Sequence, residues 1–252
     1  MAKTAIVTGA TGGIGIAFVR AIHGLEDVEE IWAVGRSREK LDRLLSESDK
    51  VVPIEVDLSL DGITVLSDLL REKTPDIRML VNNAGIASFG PFAKMSEEQI
   101  ETFCRINCEV PAKLISIALP YMRRGSGILN VSSASSFQPN PYLCMYSASK
   151  VFLKNLSRAL GTELKSQGIA VTAVCPGWVD TEMLPREKDG KKIRYFGMIS
   201  ADKVVKKALK DNQRGKDLSA PGFFAKYLRF YSKCTPTKIV MRQWIKIIGK
   251  YM

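Results

Sequence analysis

The chain has 252 residues, of which 46% are hydrophobic and 25% are charged. This composition is typical of a soluble globular protein, and the length allows one large α/β domain or two small ones. No apolar run approaches the roughly 18 residues of a membrane-spanning helix, and "MAKTAIVTGA" lacks the segments of a signal peptide. We therefore expect a cytoplasmic protein. The net charge of +11 is uneven: residues 1–180 contain 19 Lys/Arg and 20 Asp/Glu, whereas residues 181–252 contain 18 and 6.

Short apolar runs rich in Val and Ile alternate with helical stretches along the chain. The runs predict strands at 4–8, 30–34, 51–56, 78–82, 127–132 and 169–174, with a seventh at 216–221. The stretches predict helices near 14–24, 38–48, 62–73, 97–123 and 145–167. Near-continuous apolar strands separated by helices indicate a parallel sheet covered on both faces. We expect residues 1–252 to form one Rossmann-type, doubly wound α/β domain with a C-terminal basic helical extension.

The first strand leads into "TGATGGIG", residues 8–15, where Gly9, Gly13 and Gly15 stand before a helix. Glycines there permit a tight turn and close approach of the backbone to a pyrophosphate at the helix N-terminus. The spacing is G-x-x-x-G-x-G, which differs from the commonest dinucleotide motif. The pattern favours dinucleotide binding over a simple strand-to-helix turn.

The end of the second strand bears on the choice of dinucleotide. An acid there would bind a ribose 2′-hydroxyl and favour NAD(H), but "AVGRSREK" places Arg36 at that point. A guanidinium can pair with a 2′-phosphate, so we favour NADP(H), with NAD(H) as the alternative. A solvated surface arginine is the other interpretation of Arg36. Asp57, after the third strand, is a candidate acceptor for the adenine amino group.

The stretch "MYSASK" puts Tyr146 and Lys150 four residues apart, one helical turn on the same face. The spacing alone occurs in many helices and does not separate an acid/base pair from an ordinary helical pair. The chain has one histidine, His23, far from this stretch in sequence. A cation close to a phenol favours the phenolate, so Lys150 is expected to lower the pKa of Tyr146.

Seven motifs in order resemble those of the short-chain dehydrogenase/reductase family, over about residues 3–181. They are "TGATGGIG", "VDL", "NNAG", Asn107 in "RINCEV", "NVSS", "YSASK" and "PGWVDT". The resemblance implies Asn107, Ser133, Tyr146 and Lys150 as catalytic residues. The family usually places this serine 13 residues before the tyrosine, so the resemblance selects Ser133 among the neighbouring serines. Asn107 is expected to interrupt a helix and to position a water near Lys150.

The resemblance also implies a cofactor site and an assembly, a homodimer or a homotetramer. Asn83, Ala84 and Gly85 would hold the fourth strand beside the cofactor, and residues 176–181 would line the nicotinamide. The expected cofactor-binding residues are Gly9, Thr11, Gly12, Gly13, Ile14, Gly15, Arg36, Asp57, Leu58, Asn83, Ala84, Gly85, Tyr146, Lys150, Pro176, Gly177, Val179 and Thr181.

Residues 182–200 occupy the place of the family's substrate loop. The candidate substrate pocket is largely apolar and comprises Ser133, Phe137, Met145, Met183 and Leu184. We expect a lipophilic ketone or secondary alcohol, steroid-like or 3-oxoacyl, although simple loop packing also explains these side chains. No metal site is expected: Cys104 and Cys108, one helical turn apart, are interpreted as buried thiols.

The extension at residues 222–252 is basic and amphipathic. Lys238, Arg242, Lys246 and Lys250 recur every four residues, and Val240, Met241, Trp244, Ile245 and Ile248 form an apolar face. Such a segment can cover the substrate cleft, pack on a second subunit or lie peripherally on an anionic membrane. No nucleic-acid partner is expected, because no nucleic-acid-binding motif is present.

The leading hypothesis is an NADP(H)-dependent carbonyl reductase or alcohol dehydrogenase acting on a small molecule, with Tyr146 as the general acid/base. The alternative is a non-catalytic dinucleotide sensor or a membrane-associated scaffold. The complete set of four candidate catalytic residues argues against the alternative.

Overall fold

A computed structural model describes residues 1–184, 186–188 and 191–249. Within these residues, seven parallel strands form the central sheet in the order β11-β6-β5-β4-β1-β2-β3. This confirms the predicted doubly wound sheet, including its seventh strand. The strands of the sheet are β1 (Lys3–Thr8), β2 (Glu30–Gly35), β3 (Val51–Glu55), β4 (Asp76–Asn82), β5 (Met122–Val131), β6 (Ala170–Val174) and β11 (Leu218–Ser219).

Helices cover both faces of the sheet. They are α1 (Gly13–His23), α2 (Arg38–Asp42), α3 (Gly62–Lys73), α4 (Glu97–Cys104), α5 (Val110–Ala118), α6 (Cys144–Glu163), α7 (Ala201–Gln213), α8 (Gly222–Cys234) and α9 (Thr237–Ile248). The helix predicted at 97–123 is divided by a π-helical turn, Arg105–Glu109, and ends early, because β5 begins at Met122. The helix predicted at 38–48 continues past α2 as a 3-10 turn, Arg43–Ser46.

Alternation of side chains along each strand explains the continuous apolar runs. In β1, Ala5 and Val7 enter the core cluster that contains Phe18 of α1, whereas Ile6 enters the opposite cluster, which contains Leu114 of α5. Because helices cover both faces, successive residues of one strand are buried on opposite sides. These two apolar layers fix the sheet between its helices.

The order of the strands determines where a site can form. The chain runs outward from β1 to β3 and then returns to β4 on the other side of β1. In such a sheet, ligands bind at the carboxyl ends of the strands where the order reverses. Here that crevice lies beyond Thr8 and Asn82, which end β1 and β4.

The chain between β6 and α7 leaves the sheet, and its described residues form two pairs of short strands. Parallel β7 (Val179–Asp180) and β10 (Ile199–Ser200) enclose antiparallel β8 (Glu187–Lys188) and β9 (Lys191–Lys192). After β11, α8 and α9 form the basic extension. In the part of the chain that the structure describes, no helix has the length and apolar character needed to cross a membrane.

Candidate active site

The crevice between β1 and β4 is held together by one hydroxyl and one amide side chain. Thr8 Oγ1 accepts hydrogen bonds from the backbone N–H groups of Asn83 and Ala84, both at 3.0 Å. Asn83 Nδ2 donates to the carbonyls of Thr8 and Gly9, again at 3.0 Å. Gly9 adopts φ +60°, a left-handed conformation that favours glycine. These bonds fix the glycine turn against the end of β4.

The first turn of α1 is packed too closely for larger residues. A Cβ on Gly15 would lie 2.2 Å from the Gly9 carbonyl oxygen, and a Cβ on Gly13 would lie 2.7 Å from Thr181 Cγ2. Gly12 is the N-cap and gives the helix no side-chain hydrogen bond. The N–H groups of the first turn therefore remain available to an anion, as expected for a pyrophosphate site. Thr11 and Ile14 lie within the same segment.

Arg36 and Asp57 follow the next two strands, β2 and β3. Arg36 is exposed. Asp57 Oδ1 accepts hydrogen bonds from Ser59 N at 2.8 Å and from Ser59 Oγ at 2.6 Å. These bonds and the nearby charge of Arg36 lower the pKa of the Asp57 carboxyl, while Leu58 beside it is buried. A cation and a carboxylate thus lie on the side of the crevice away from Tyr146.

Lys150 extends from α6 into the protein and is almost fully buried. Its Nζ donates to the Val131 carbonyl at 2.9 Å and lies 5.5 Å from the centroid of the Tyr146 ring. Burial lowers the pKa of the Lys150 ammonium to about 8. A Cβ on Gly85 would lie 3.3 Å from this Nζ, so Gly85 leaves the space that the ammonium occupies.

Asn107 lies in the π-helical turn between α4 and α5, so the predicted interruption of a helix is present. Its side chain exchanges two hydrogen bonds of 2.9 Å with the backbone of Ile86 and donates to Ser149 Oγ at 3.1 Å. The turn widens the helix locally and directs this amide inward. The same region corrects one expectation: Cys104 is exposed and Cys108 is half-buried, because the helix turns its outer face to solvent there.

Burial raises the pKa of the Tyr146 phenol, and a hydrogen bond with Ser133 opposes the rise. The net shift is therefore upward, opposite to the lowered pKa of Tyr146 that the sequence predicted. The reason is that loss of hydration outweighs other influences on the phenol. At neutral pH the phenol is protonated, the form that donates a proton.

The structure distinguishes the neighbouring serines. Ser132 Oγ donates to the Lys150 carbonyl at 2.7 Å, and Ser136 Oγ lies 3.6 Å from Cys175 Sγ. Ser132, Ser133 and Ser135 all border the same cavity as Tyr146. Ser133 differs from them in its side-chain hydrogen bond with the Tyr146 phenol, and its Oγ accepts from Ser135 N at 3.1 Å. The Ser133 hydroxyl thus lies within hydrogen-bonding reach of the Tyr146 phenol, at the wall of the cavity.

A cavity of about 250 Å³ extends from these side chains toward the extension. Expected site residues in its wall are Ile14, Asn83, Gly85, Ser133, Tyr146, Lys150, Pro176, Gly177, Val179, Thr181, Met183 and Leu184. Phe137 and Met145 lie outside this wall, which corrects their assignment to the pocket. Phe137 instead packs against the cluster that contains Cys175, with Lys154 Nζ 5.7 Å from its ring centroid.

The extension supplies much of the wall that the motifs did not predict. Aromatic and apolar side chains of this kind are Phe224, Tyr227, Leu228, Tyr231, Val240, Trp244 and Ile247. Trp244 packs with Leu143, Tyr146 and Ile248, and its Nε1 donates to the Pro141 carbonyl at 2.8 Å. The helical spacing of Val240, Trp244 and Ile248 was the sequence signal for this buried face. Ile245, predicted to belong to it, is exposed, and Lys250 lies outside the described residues.

Comparison with known proteins decides the family. The profile described as "short chain dehydrogenase" matches residues 3–192. The chain belongs to the short-chain dehydrogenase/reductase family of oxidoreductases. The "Short-chain dehydrogenase from Sphingobium yanoikuyae in complex with NADPH" is similar in structure, with a TM-score of 0.75 and 28% identity, covering 86% of this chain and 87% of that one.

Two curated relatives show the range of the family. The "Very-long-chain 3-oxoacyl-CoA reductase" of Anas platyrhynchos is 35% identical over 71% of this chain and 60% of its own length. The "Inactive hydroxysteroid dehydrogenase-like protein 1" of Homo sapiens is 33% identical over 72% of this chain and 57% of its own length. The chain thus spans less than two thirds of both relatives. The family includes proteins named as inactive. The activity of this chain must therefore be argued from its own residues.

Proposed function

We propose that this short-chain dehydrogenase/reductase is an NADP(H)-dependent enzyme that transfers a hydride between nicotinamide and a carbonyl or secondary alcohol. The substrate is a small lipophilic molecule, steroid-like or 3-oxoacyl. The observation that carries the proposal is the convergence of Ser133, Tyr146 and Lys150 at one wall of an apolar cavity. That cavity also reaches Ile14 on the first turn of α1.

The residues present fit the cofactor. The open first turn of α1 would bind the pyrophosphate, and Pro176, Gly177, Val179 and Thr181 would lie along the nicotinamide. Lys150 would donate hydrogen bonds to the nicotinamide ribose. When bound, the cofactor supplies or accepts the hydride.

Tyr146, Ser133 and Lys150 would transfer and stabilise the proton and the charge that accompany the hydride. In the direction of reduction, the carbonyl carbon gains the hydride and Tyr146 Oη gives its proton to the carbonyl oxygen. Ser133 Oγ would donate a hydrogen bond to that oxygen and stabilise its developing negative charge. Lys150 would stabilise the phenolate that remains. The raised pKa of Tyr146 keeps its proton in place until this step.

The preference for NADP(H) rests on Arg36, whose exposed guanidinium would pair with the 2′-phosphate. The NADPH complex of the Sphingobium yanoikuyae relative supports it. Arg36→Ala is expected to raise KM for NADPH by about 10- to 100-fold, the effect of losing a charge-assisted hydrogen bond. KM for NADH should change little, which initial rates with each cofactor will show. Arg38→Ala is the control, because Arg38 pairs with Asp42 at 2.9 Å; equal losses in both variants would contradict this assignment.

The alternative is a non-catalytic dinucleotide sensor or a membrane-associated scaffold. The human relative named as inactive supports this alternative. An assay that monitors NADPH consumption by its absorbance, with a series of ketones of increasing lipophilicity, distinguishes an enzyme from a sensor or scaffold. An enzyme with this apolar cavity is expected to show kcat/KM that rises with the apolar surface of the ketone. A sensor would bind NADPH and consume none. The assembly into a homodimer or homotetramer remains a prediction, and so does the cytoplasmic location.

A further inference from the structure

Aromatic side chains of α8 connect the cavity to the outer surface. Phe223 and Phe230 are 78% and 69% exposed. The ring of Phe223 stacks on Tyr227 at 6.5 Å, and Tyr227 stacks on Tyr231 at 5.6 Å, measured between centroids. Tyr227 and Tyr231 line the cavity. The stack therefore runs from an exposed phenyl ring to the wall of the cavity.

Other exposed apolar side chains surround the same opening. Met183 and Ile247 line the cavity yet are 55% and 43% exposed. Phe196 is 75% exposed and packs edge-on against Phe224, another lining residue, at 5.9 Å. We call this set the apolar rim: Met183, Phe196, Phe223, Tyr227, Phe230 and Ile247. A contiguous exposed set of this kind marks a contact surface, whereas single exposed apolar residues do not.

Cations flank the apolar rim. Residues 222–252 contain seven Lys/Arg and no Asp or Glu. Helical spacing places Lys226 and Lys233 beside the exposed stripe of Phe223 and Phe230 on α8. On α9, exposed cations follow one another every four residues: Lys238, Arg242 and Lys246. Exposed aromatic rings beside a purely cationic face complement an anionic lipid surface.

We propose that the apolar rim docks on an anionic membrane surface, so that the mouth of the cavity faces the lipid. A second copy of the chain is a poorer occupant. A two-fold interface would bring the same basic patch from both copies together, and like charges in contact oppose association. The lipid contact does not depend on the proposed reaction, although it would give a lipophilic substrate a direct path to Tyr146.

Sedimentation with phosphatidylcholine vesicles, with and without phosphatidylserine, tests the proposal on the full chain. The chain should sediment with the phosphatidylserine vesicles, and added salt should weaken the binding. Phe223→Ser/Phe230→Ser should weaken it about tenfold or more through lost apolar contact. Lys238→Gln/Arg242→Gln/Lys246→Gln should weaken it through lost charge. Leu60→Ser/Val65→Ser, which changes exposed apolar residues far from the rim in sequence, is the control and should bind like the parent.

Two results would overturn the proposal. One is equal sedimentation, or none, for the parent and all variants. The other is a dimer in analytical ultracentrifugation that Phe223→Ser/Phe230→Ser dissociates, which would make the rim a subunit interface. Neither result concerns hydride transfer, because oxidation of NADPH by a water-soluble ketone is measured without vesicles. Failure of the lipid contact is therefore distinguishable from failure of the proposed function.

Discussion

Tyr146→Phe is expected to lower kcat by at least about 100-fold, the usual contribution of a positioned general acid. The substitution removes one hydroxyl and leaves the ring in its contact with Trp244 and Leu143. Because that hydroxyl carries the transferred proton, chemistry should fail while the fold and the NADPH site remain. Steady-state NADPH oxidation gives kcat, and NADPH fluorescence titration gives Kd, which should change by less than about threefold.

Tyr142→Phe is the matched control for this substitution. Tyr142 is exposed, and the contact that it makes with Gly90 uses its backbone carbonyl. The same chemical change there should leave kcat intact. If Tyr146→Phe kept more than a few per cent of the activity, Tyr146 would not be the acid/base.

Lys150→Met is expected to abolish most of the activity and to change how stability depends on pH. Burial lowers the pKa of Lys150 from 10.5 to about 8, so the folded protein binds fewer protons than the unfolded chain between these values. The free-energy cost of burying the charged Lys150 ammonium is fully present below pH 8. It disappears as pH rises through 10.5, where the unfolded chain also loses this proton. Relative to Lys150→Met, the unliganded parent should therefore gain roughly 2 kcal/mol of unfolding free energy between pH 7 and pH 9.5.

Urea unfolding of both proteins at a series of pH values measures this difference. The difference cancels contributions from other titrating groups, because both proteins share them. Lys165→Met, at an exposed lysine just beyond α6, should follow the parent in stability and in kcat. Parallel stability profiles for the parent and Lys150→Met would show that the Lys150 pKa is not depressed in the folded protein.

Local patterns were sufficient to predict the sheet and the glycine turn. Runs such as "TAIVT" are apolar at successive positions because both faces of the strand are buried. Gly15 can be recognised from its place between strand and helix, and the structure adds its reason, a backbone oxygen where a Cβ would be. The motif around Tyr146 and Lys150 likewise identified a pair that the structure places side by side.

Other features depend on contacts between distant segments. Phe137 was assigned to the pocket from its neighbours in sequence, but it packs toward Cys175 instead. The pKa of Tyr146 is set by burial, which depends on how the extension covers it, so charge spacing alone gave the wrong direction. Trp244 reaches Pro141 across 103 positions, and the amphipathic pattern of α9 did not reveal which surface its apolar face would meet.

The central claim is that hydride passes from the nicotinamide to a carbonyl carbon held at Tyr146. Incubation of the chain with NADPH deuterated at both C4 positions and a lipophilic ketone, followed by mass spectrometry of the alcohol, tests it most directly. The account predicts an alcohol with one deuterium on its carbinol carbon, formed by the parent and not by Tyr146→Phe. An unlabelled alcohol, or no alcohol from any ketone of the graded series with either NADPH or NADH, would contradict it.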